Sequence, residues 1–335
     1  MILIDYTLYR GESSSKAGLE DSDQMVYNRA IKEAGRSYRM RKEILTKALA
    51  LALFLTLCPL MALAEGPVVY PPEEYAFQGA KVVRTYDAET LKITVTRFYI
   101  DDVTCYLSKI WVQEPARQIR KVTAEWRKNI MLPRYMAEDI PEAALIINGS
   151  GYVSPTYPWI PENYPGTNED YYYTPLGSVT VTDGEVFRDL EGVPYFGLAL
   201  DEDGLQMYVD ADNADVLSTH PVQTWSFYVE CPMIRDNQDI LPTNWQFADR
   251  QARRTVIGRV NRNNYLILNV TSDGGNGLSL RRVSKFFLKH FKTEWVYNLD
   301  GGPSSALLFR KKGSTKMVTI TGGSAKDADI MAFVE

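Results

Sequence analysis

The sequence predicts an α+β fold, built as a strand-rich single domain with a mixed curved sheet and few helices. Most of its periodic segments are short runs in which apolar and polar residues alternate, which is the pattern of half-buried strands. Only one segment, Ser279 to Phe291, clearly repeats apolar residues at helical spacing. Because most periodic segments are short strands and one amphipathic helix is clear, we infer the α+β class.

The predicted elements can be placed in chain order. The strand-like runs are Leu91 to Arg97, Thr104 to Val112, Ala143 to Ile147, Gly177 to Gly184, Tyr265 to Val270 and Val296 to Asp300. Acidic turns at Thr182-Asp183-Gly184-Glu185 and Asp201-Glu202-Asp203-Gly204 lie between apolar runs and predict two hairpins. On the helix, the buried face is expected to carry Leu280, Val283, Phe287 and Phe291, and the wet face Arg281, Arg282, Lys285 and Lys289.

The segment from Val296 to Ser305 is the most informative for function. An apolar strand delivers the carboxylate of Asp300 directly into Gly301 and Gly302, two residues without side chains. Such a junction lets a ligand approach the backbone closely and fixes the carboxylate on a rigid element. The same residues also suit an ordinary tight turn, so this segment needs support from others.

Two other strands end in a similar way. Ala143 to Ile147 runs into Asn148-Gly149, and Tyr265 to Val270 runs into Thr271 to Gly277 ahead of the helix. Free amides and the positive end of the helix dipole favour an anion at that helix start. Arg253 and Arg254 precede an expected turn at Thr255 to Gly258. Because alternate strand residues face opposite ways, one of the two arginines is expected to contact the same anion, which could be a phosphate.

Together these blocks resemble the phosphodiester glycosidase family, over about Lys92 to Glu335. The resemblance rests on blocks that occur in the family's order, and no single block is decisive. The blocks are Ile93 to Arg97 with Tyr106 to Gln113, Met136-Ala137 with Ala144 to Gly149, Gly177 to Gly184, Arg253 to Gly258, Asp273 to Leu280, and Asn298 to Ser305. The segment Tyr152 to Tyr173, after Asn148-Gly149, is a long loop rich in proline and aromatic residues. It is expected either to cover the site as a lid that binds the sugar or to pack its aromatic side chains onto the domain.

The resemblance implies an exported hydrolase that cleaves a sugar 1-phosphate diester and releases a free sugar such as N-acetylglucosamine. Asp300 is then expected at the anomeric centre or its water. Arg254 and the amides of Gly301, Gly302 and Gly274 are expected to hold the phosphate, and Asn148 and Asp273 to orient the sugar or water. The catalytic candidates are Asp300, Asn148 and Arg254. The remaining candidates are substrate-binding: Gly149, Tyr152, Thr255, Asp273, Gly274, Gly301, Gly302 and Ser304.

Departures from the family pattern keep two other functions open. Pro303 removes one backbone donor and Ser150 replaces the usual residue, so a catalytically inactive carbohydrate-binding or envelope protein is the first alternative. The second is a metal-dependent phosphodiesterase built on Asp273 and Asp300. No cofactor is expected, and a divalent metal is not excluded, although no cluster of His and Cys has the spacing of a zinc site.

The front of the chain predicts export. Met40-Arg41-Lys42, the apolar run Ala48 to Leu57 and the small residues Ala62-Leu63-Ala64 have the order of a secretory signal peptide, 40–64. Residues 1–39 are then an upstream extension or a cytoplasmic tail, 65–90 a linker, and 91–335 the phosphodiester glycosidase-like domain. The protein is expected in the envelope or outside the cell, and at a membrane only if the signal segment stays uncleaved.

Charge and cysteine content limit the partners. The net charge is −5, which does not supply the basic face that nucleic acid requires, so a sugar-phosphate or glycan is the expected partner. Cys105 and Cys231 follow the signal segment, and they suit either one disulfide or two buried thiols.

Overall fold

A computed structural model describes residues 65–68, 77–126, 128–154, 169–227, 231–273 and 275–335. The chain divides into two compact units, Met1–Leu63 and Ala64–Glu335, and every described residue belongs to the second. The predicted signal peptide therefore lies outside the described residues, as do Tyr157, Trp159 and Tyr164 of the predicted lid. Among the described residues, no helix combines the length and the apolar character that crossing a bilayer requires.

The second unit is rich in strands and contains few helices, which confirms the predicted α+β class. Its strands are β1 (Gln78–Asp87), β2 (Leu91–Ile100), β3 (Val103–Val112), β4 (Ile119–Thr123), β5 (Ala143–Asn148), β6 (Val179–Thr182), β7 (Glu185–Asp189), β8 (Tyr195–Asp201), β9 (Gly204–Ala211), β10 (Gln223–Trp225), β11 (Pro232–Arg235), β12 (Gln238–Asp239), β13 (Arg254–Asn261), β14 (Asn264–Val270), β15 (Trp295–Asn298), β16 (Ala306–Arg310), β17 (Met317–Gly322) and β18 (Asp329–Val334). The α-helices are α1 (Pro115–Gln118), α2 (Pro133–Met136), α3 (Asn213–Ser218), α4 (Gln246–Asp249) and α5 (Leu280–His290).

These strands form three sheets. The large sheet has the order β1-β2-β3-β14-β13-β15-β11-β12, the second β7-β6-β10-β8-β9, and the third β17-β16-β5-β18-β4. Within the described part of the chain, all strand pairs are antiparallel, so the strands form three antiparallel sheets where the sequence suggested one mixed sheet.

The main core lies where the three sheets meet. Ile267 of the large sheet, Trp225 of the second and Phe333 of the third are buried in one apolar cluster. A second cluster covers the opposite face of the large sheet, where Phe287 of α5 packs with Leu266. Burial of both faces explains why β14 is buried along its whole length and carries the apolar run Tyr265 to Leu268.

Helix α5 agrees with its prediction. Ser279 caps its start by accepting a hydrogen bond from the Arg282 amide at 3.2 Å, which satisfies one of the free donors of the first turn. The four residues predicted for the inward face, Leu280, Val283, Phe287 and Phe291, are all buried. The two predicted hairpins are also present, as β6–β7 and β8–β9.

Three details differ from the sequence reading or complete it. The turn predicted at Thr255 to Gly258 is wrong, because β13 continues to Asn261 and pairs on both edges, with β14 and β15. The segment expected as a linker, 65–90, contains strand β1. Cys105 and Cys231 are both buried free thiols.

Candidate active site

The fold brings together the ends of strands that are distant in sequence. Asn148 at the end of β5 pairs with Ile330 of β18, so the start of β18 lies beside the end of β5. The Asp300 amide donates to the Gly149 carbonyl at 3.3 Å, which joins the segment after β15 to the same place. Asp300 therefore lies at a junction between the large sheet and the third sheet.

Asp300 is half-buried and lines a pocket. Burial raises the pKa of its carboxyl to about 6, and the negative charge of Asp329 raises it further. The Gly301 amide, which donates to Asp300 Oδ1 at 2.6 Å, and the Ser304 hydroxyl counteract part of that rise. Asp300 is thus a carboxylate at neutral pH, with a pKa close enough to 7 to exchange a proton during a reaction.

Asp300 belongs to a cluster of three carboxyl groups with Asp327 and Asp329, which we call the carboxylate cluster. Asp327 and Asp329 are fully buried. Burial and the neighbouring Asp300 charge raise the pKa of Asp327 well above its ordinary value, although the nearby Ser304 hydroxyl lowers it. Neither oxygen of Asp327 meets hydrogen-bond geometry with any group in the described part of the chain. Its carboxyl is therefore less ready to ionise than that of an exposed aspartate.

Lys121 of β4 supplies the positive charge next to the cluster. Its ammonium lies 3.8 Å from Asp329 Oδ2 and donates to the Val181 carbonyl of the second sheet at 3.2 Å. The ammonium also lies over the ring of Trp225 at 5.2 Å. Burial lowers the pKa of Lys121 to about 8, and Asp329 opposes this shift. Lys121 thus links the second and third sheets while keeping a charge beside Asp329.

Asn148 and Thr255 form buried hydrogen bonds that connect the strands at this junction. The Asn148 amide donates to the Asp300 carbonyl at 2.8 Å, and Asn148 Oδ1 accepts from the Thr255 hydroxyl at 2.7 Å and the Ala306 amide at 3.0 Å. Asn269 donates to the Thr255 hydroxyl at 3.1 Å. Both predicted site residues are buried and engaged with protein atoms, so they position Asp300 and do not face a ligand.

Gly149 permits the close approach of Asp329. A Cβ at this position would overlap the Asp329 carboxylate and lie 3.1 Å from the Asp329 carbonyl oxygen. The Asp329 carboxylate accepts from the Ser150 amide at 2.7 Å, so the turn after β5 closes directly over it. This contact explains why a glycine follows Asn148.

The structure corrects the expected role of Gly301 and Gly302. Both residues line the pocket, but the Gly301 amide donates to Asp300 Oδ1 and the Gly302 amide donates to the Arg253 carbonyl at 2.9 Å. Neither amide is therefore free to hold a phosphate. They shape the turn that presents Asp300 and Ser304, the latter being a candidate that also lines the pocket.

The positive charge of the pocket comes from Arg254 and from Arg250. Arg254 is buried, as expected for the inward-facing member of the Arg253-Arg254 pair, and its guanidinium donates to the carbonyls of Arg250 at 2.7 Å and Phe247 at 3.4 Å. Burial lowers its pKa to about 10, and the neighbouring Arg250 charge lowers it too. Arg254 still carries its charge at neutral pH. Arg253 instead donates to the Ser305 carbonyl at 3.1 Å.

One pocket of about 490 Å³ joins these groups. Its polar part is formed by Arg250, Arg254, Asp300, Gly301, Gly302 and Ser304. Its apolar part is formed by Tyr152, Leu176, Phe227, Trp245 and Phe247. A carboxylate and two guanidinium groups thus open into one concave site of ligand size, which is the arrangement expected for a negatively charged substrate that reacts at a carboxylate.

The structure does not bring the start of α5 into this site. Asp273 is exposed and does not line the pocket, and its carbonyl accepts from the Thr104 amide at 3.3 Å. Gly274 lies outside the described residues. The phosphate site predicted at the helix start is therefore not part of the pocket around Asp300, because Thr271 and Asp273 form backbone hydrogen bonds with Thr104 of β3.

Sequence reasoning missed Lys121, Arg250, Asp327 and Asp329. A signal for the two aspartates was present, since Asp327-Ala328-Asp329 directly precedes an apolar run, which mirrors Asp300 directly after one. Lys121 and Arg250 had no such signal, because a lysine in a short alternating strand and an arginine in a polar segment both resemble surface residues. Within the ranges that the structure describes, no three His, Cys, Asp or Glu side chains are arranged to hold a metal ion.

The fold and the pocket thus define a strand-rich α+β protein in which one carboxylate and two arginines line the same pocket. Comparison with protein families identifies it further. The sequence model of the phosphodiester glycosidase family matches residues 142–332, a range that contains every member of the carboxylate cluster and both pocket arginines. The chain belongs to the phosphodiester glycosidase family.

Solved structures share the fold at low sequence identity. The catalytic domain of zebrafish N-acetylglucosamine-1-phosphodiester α-N-acetylglucosaminidase, auto-inhibited by its pro-peptide, is 15% identical with a TM-score of 0.55, over 77% of this chain and 88% of that one. A hypothetical protein from Synechocystis is 13% identical with a TM-score of 0.52, over 77% of this chain and 64% of that one. The comparison with curated protein sequences found no match.

Proposed function

We propose that this protein is an exported hydrolase that cleaves a sugar 1-phosphate diester and releases the free sugar, such as N-acetylglucosamine. The observation that carries this proposal is the meeting of Asp300 with Arg250 and Arg254 in one pocket. A phosphodiester carries one negative charge beside an acetal carbon, so it needs a cation for the phosphate and an anion for the developing oxocarbenium charge. The family membership of residues 142–332 supports the same reaction class.

The chemistry follows from these charges. The bond between the anomeric carbon and the phosphate oxygen breaks, and its electron pair leaves with a phosphate monoester. Water forms the new bond to the anomeric carbon. Asp300 stabilises the developing positive charge and takes a proton from this water, for which a pKa of about 6 is suitable. Arg254, with Arg250 at the mouth, stabilises the departing phosphate, so this leaving group needs little help from an acid.

Export is the second part of the proposal. The basic, apolar and small-residue segments of 40–64 support a secretory signal peptide, and the compact unit Ala64–Glu335 begins where that segment ends. The substrate would then be an envelope or extracellular glycan phosphate. A membrane association is expected only if the segment is retained.

The test is hydrolysis of an α-linked N-acetylglucosamine 1-phosphate diester by the protein and by Asp300→Asn, each with and without EDTA. Free sugar and sugar phosphate are assayed separately. Release of free N-acetylglucosamine, abolished by the substitution and unaffected by EDTA, supports the proposal. Loss of activity in EDTA would favour the metal-dependent phosphodiesterase. Sugar 1-phosphate as the product would show that the bond between the anomeric carbon and the phosphate oxygen is not the one that breaks.

A binding protein without catalysis is the second candidate, and one observation favours it. The amides of Gly301 and Gly302 are occupied inside the protein, so the phosphate has fewer backbone donors than the sequence suggested. In that case the diester would bind in the pocket and remain intact. Binding of the diester by calorimetry, with no product after prolonged incubation, separates this candidate from the hydrolase.

A further inference from the structure

One side of the pocket has a composition that the proposed reaction does not explain. Tyr152, Leu176, Phe227, Trp245 and Phe247 form a continuous apolar surface that we call the aromatic wall. The ring of Phe247 lies 5.0 Å from that of Trp245 and 6.2 Å from that of Phe227. Leu176 and Phe227 pack against Gly151, where a Cβ would overlap the Phe227 ring. The wall is thus a packed surface and not a set of scattered side chains.

The aromatic wall lies beside the phosphate-binding arginine. The guanidinium of Arg254 lies over the Phe247 ring, 4.8 Å from its centre. The side chain of Arg254 also passes near Gly301, 3.9 Å from the position a Cβ would take there. Arg254 therefore separates the turn that presents Asp300 from the wall. A phosphate on Arg254 would have the reacting sugar on its Asp300 side and its second substituent on the wall side.

The polarity of the wall argues against a sugar as that second substituent. Among the described residues of the wall, hydrogen-bonding side-chain atoms are limited to the Tyr152 hydroxyl and the Trp245 indole nitrogen. A second sugar would remove several hydroxyl groups from water and leave most without partners, which costs free energy for each group. An apolar or aromatic group instead gains free energy from the area it buries against the rings.

The size of the site leaves room for such a group. A volume of about 490 Å³ lies within the range of roughly 300–1,000 Å³ typical of pockets that enclose a whole small molecule. The pocket therefore has space for both substituents of the phosphate.

We infer that the aromatic wall binds the alcohol portion of the diester, and that this alcohol is apolar or aromatic, so that the substrate class is a sugar 1-phosphate ester of a hydrophobic alcohol. This inference rests on the proposed function, since it takes the reacting sugar to lie at Asp300. It adds the chemical nature of the group on the other side of the phosphate. A preference for that group arises from the wall and not from Asp300.

The test compares diesters that share N-acetylglucosamine 1-phosphate and differ in the alcohol: methyl, benzyl, glyceryl and 6-glucosyl. We expect kcat/KM for the benzyl ester to exceed that for the glyceryl and glucosyl esters by about tenfold or more, as expected for burial of one ring. Equal values, or a preference for the glucosyl ester, would overturn the inference while the proposed function stands. Lack of free sugar from every ester would instead count against the proposed function.

Variants connect the preference to the wall. Trp245→Ala should bring the benzyl and glyceryl esters to similar kcat/KM, whereas Trp245→Phe should keep the preference. The control is Tyr135→Ala, because Tyr135 is an exposed aromatic residue that does not line this pocket. A benzyl preference that survives Trp245→Ala and Phe227→Leu would contradict the role of the wall.

A binding measurement makes the inference testable without turnover. Benzyl phosphate and glycerol 3-phosphate carry the same phosphate monoester and differ in the attached group. Calorimetry should show benzyl phosphate binding at least tenfold more tightly to the protein, and a loss of this difference in Trp245→Ala. Equal affinities for the two phosphates would overturn the inference even if no ester were hydrolysed.

Discussion

Asp300 is ionised at neutral pH although it lies in buried surroundings that disfavour a negative charge. Burial and Asp329 raise its pKa, and the donors available to it, the Gly301 amide and the Ser304 hydroxyl, only partly offset this. Such a residue lowers the stability of the folded protein above its folded pKa. A cost of this kind is common where a group is kept reactive.

Asp300→Asn should therefore stabilise the protein at pH 8. A rise in pKa from 3.8 to about 6 corresponds to about 3 kcal/mol, which its partial exposure to the pocket reduces to about 1–2 kcal/mol. The gain should shrink as the pH falls through 6 and vanish below about 4, where Asp300 is protonated in both the folded and the unfolded chain. Denaturant unfolding at pH 4 and pH 8 measures this difference. An equal effect at both pH values would show that Asp300 ionises freely.

Gly149 provides a second test at the scale of one residue. Gly149→Ala would force the Asp329 carboxylate away from the turn after β5, because a Cβ would overlap the carboxylate and lie 3.1 Å from the Asp329 carbonyl oxygen. We expect a loss of about 2 kcal/mol or more in the free energy of unfolding. The control Gly275→Ala lies at an exposed position with 3.8 Å to the nearest atom, so it should change stability little. Comparable stability of the two variants would contradict the close approach described here.

At the scale of elements, the site depends on strands that come from different sheets. The third sheet supplies Lys121, Asn148 and Asp329, whereas the large sheet supplies Arg254 and Thr255. Lys121 and Asp329 lie on the neighbouring strands β4 and β18 and form a buried ion pair. Loss of one partner leaves the other charge buried without compensation.

Lys121→Met should accordingly destabilise the protein by about 3–5 kcal/mol. The double variant Lys121→Met/Asp329→Asn should recover part of this loss, because the second substitution removes the unpaired charge. A thermodynamic cycle of the two single variants and the double variant measures the coupling. Strictly additive effects would show that the two charges do not interact.

The elements also show how far the sequence could predict the structure. Strands β2, β3, β5 and β14 and helix α5 follow from local periodicity, because one face or both faces of each are buried in a regular pattern. The prediction of a turn at Thr255 to Gly258 was wrong, because this segment pairs with β14 on one edge and β15 on the other. This tertiary pairing determines the strand conformation of its β-branched residues. Asp300 and Arg254 could be chosen because each stands beside an apolar run.

The rest of the site could not be predicted in the same way. Whether the Gly301 and Gly302 amides are free depends on Asp300 Oδ1 and the Arg253 carbonyl, which compete for them. Lys121 becomes a buried cation only after the second sheet places Val181 and Trp225 around it. Such relations join residues far apart in the chain, and no local pattern encodes them.

At the scale of the whole molecule, the three antiparallel sheets of the described residues meet at the main core, and the pocket lies near their junction. The predicted signal peptide would be removed before this unit. If export proceeds as proposed, the mature protein recovered from outside the cytoplasm should begin at Glu65, which N-terminal sequencing or intact mass can determine. A mature chain that retains 40–64 would indicate a membrane-anchored form.

The central claim is that the bond between the sugar and the phosphate oxygen is the one that breaks. Hydrolysis of the diester in ¹⁸O-labelled water tests it most directly, through the mass of the phosphate monoester that is released. We expect a phosphate monoester without ¹⁸O, because water adds to the anomeric carbon. Incorporation of ¹⁸O into the phosphoryl group would show that water attacks phosphorus and would contradict the role assigned to Asp300.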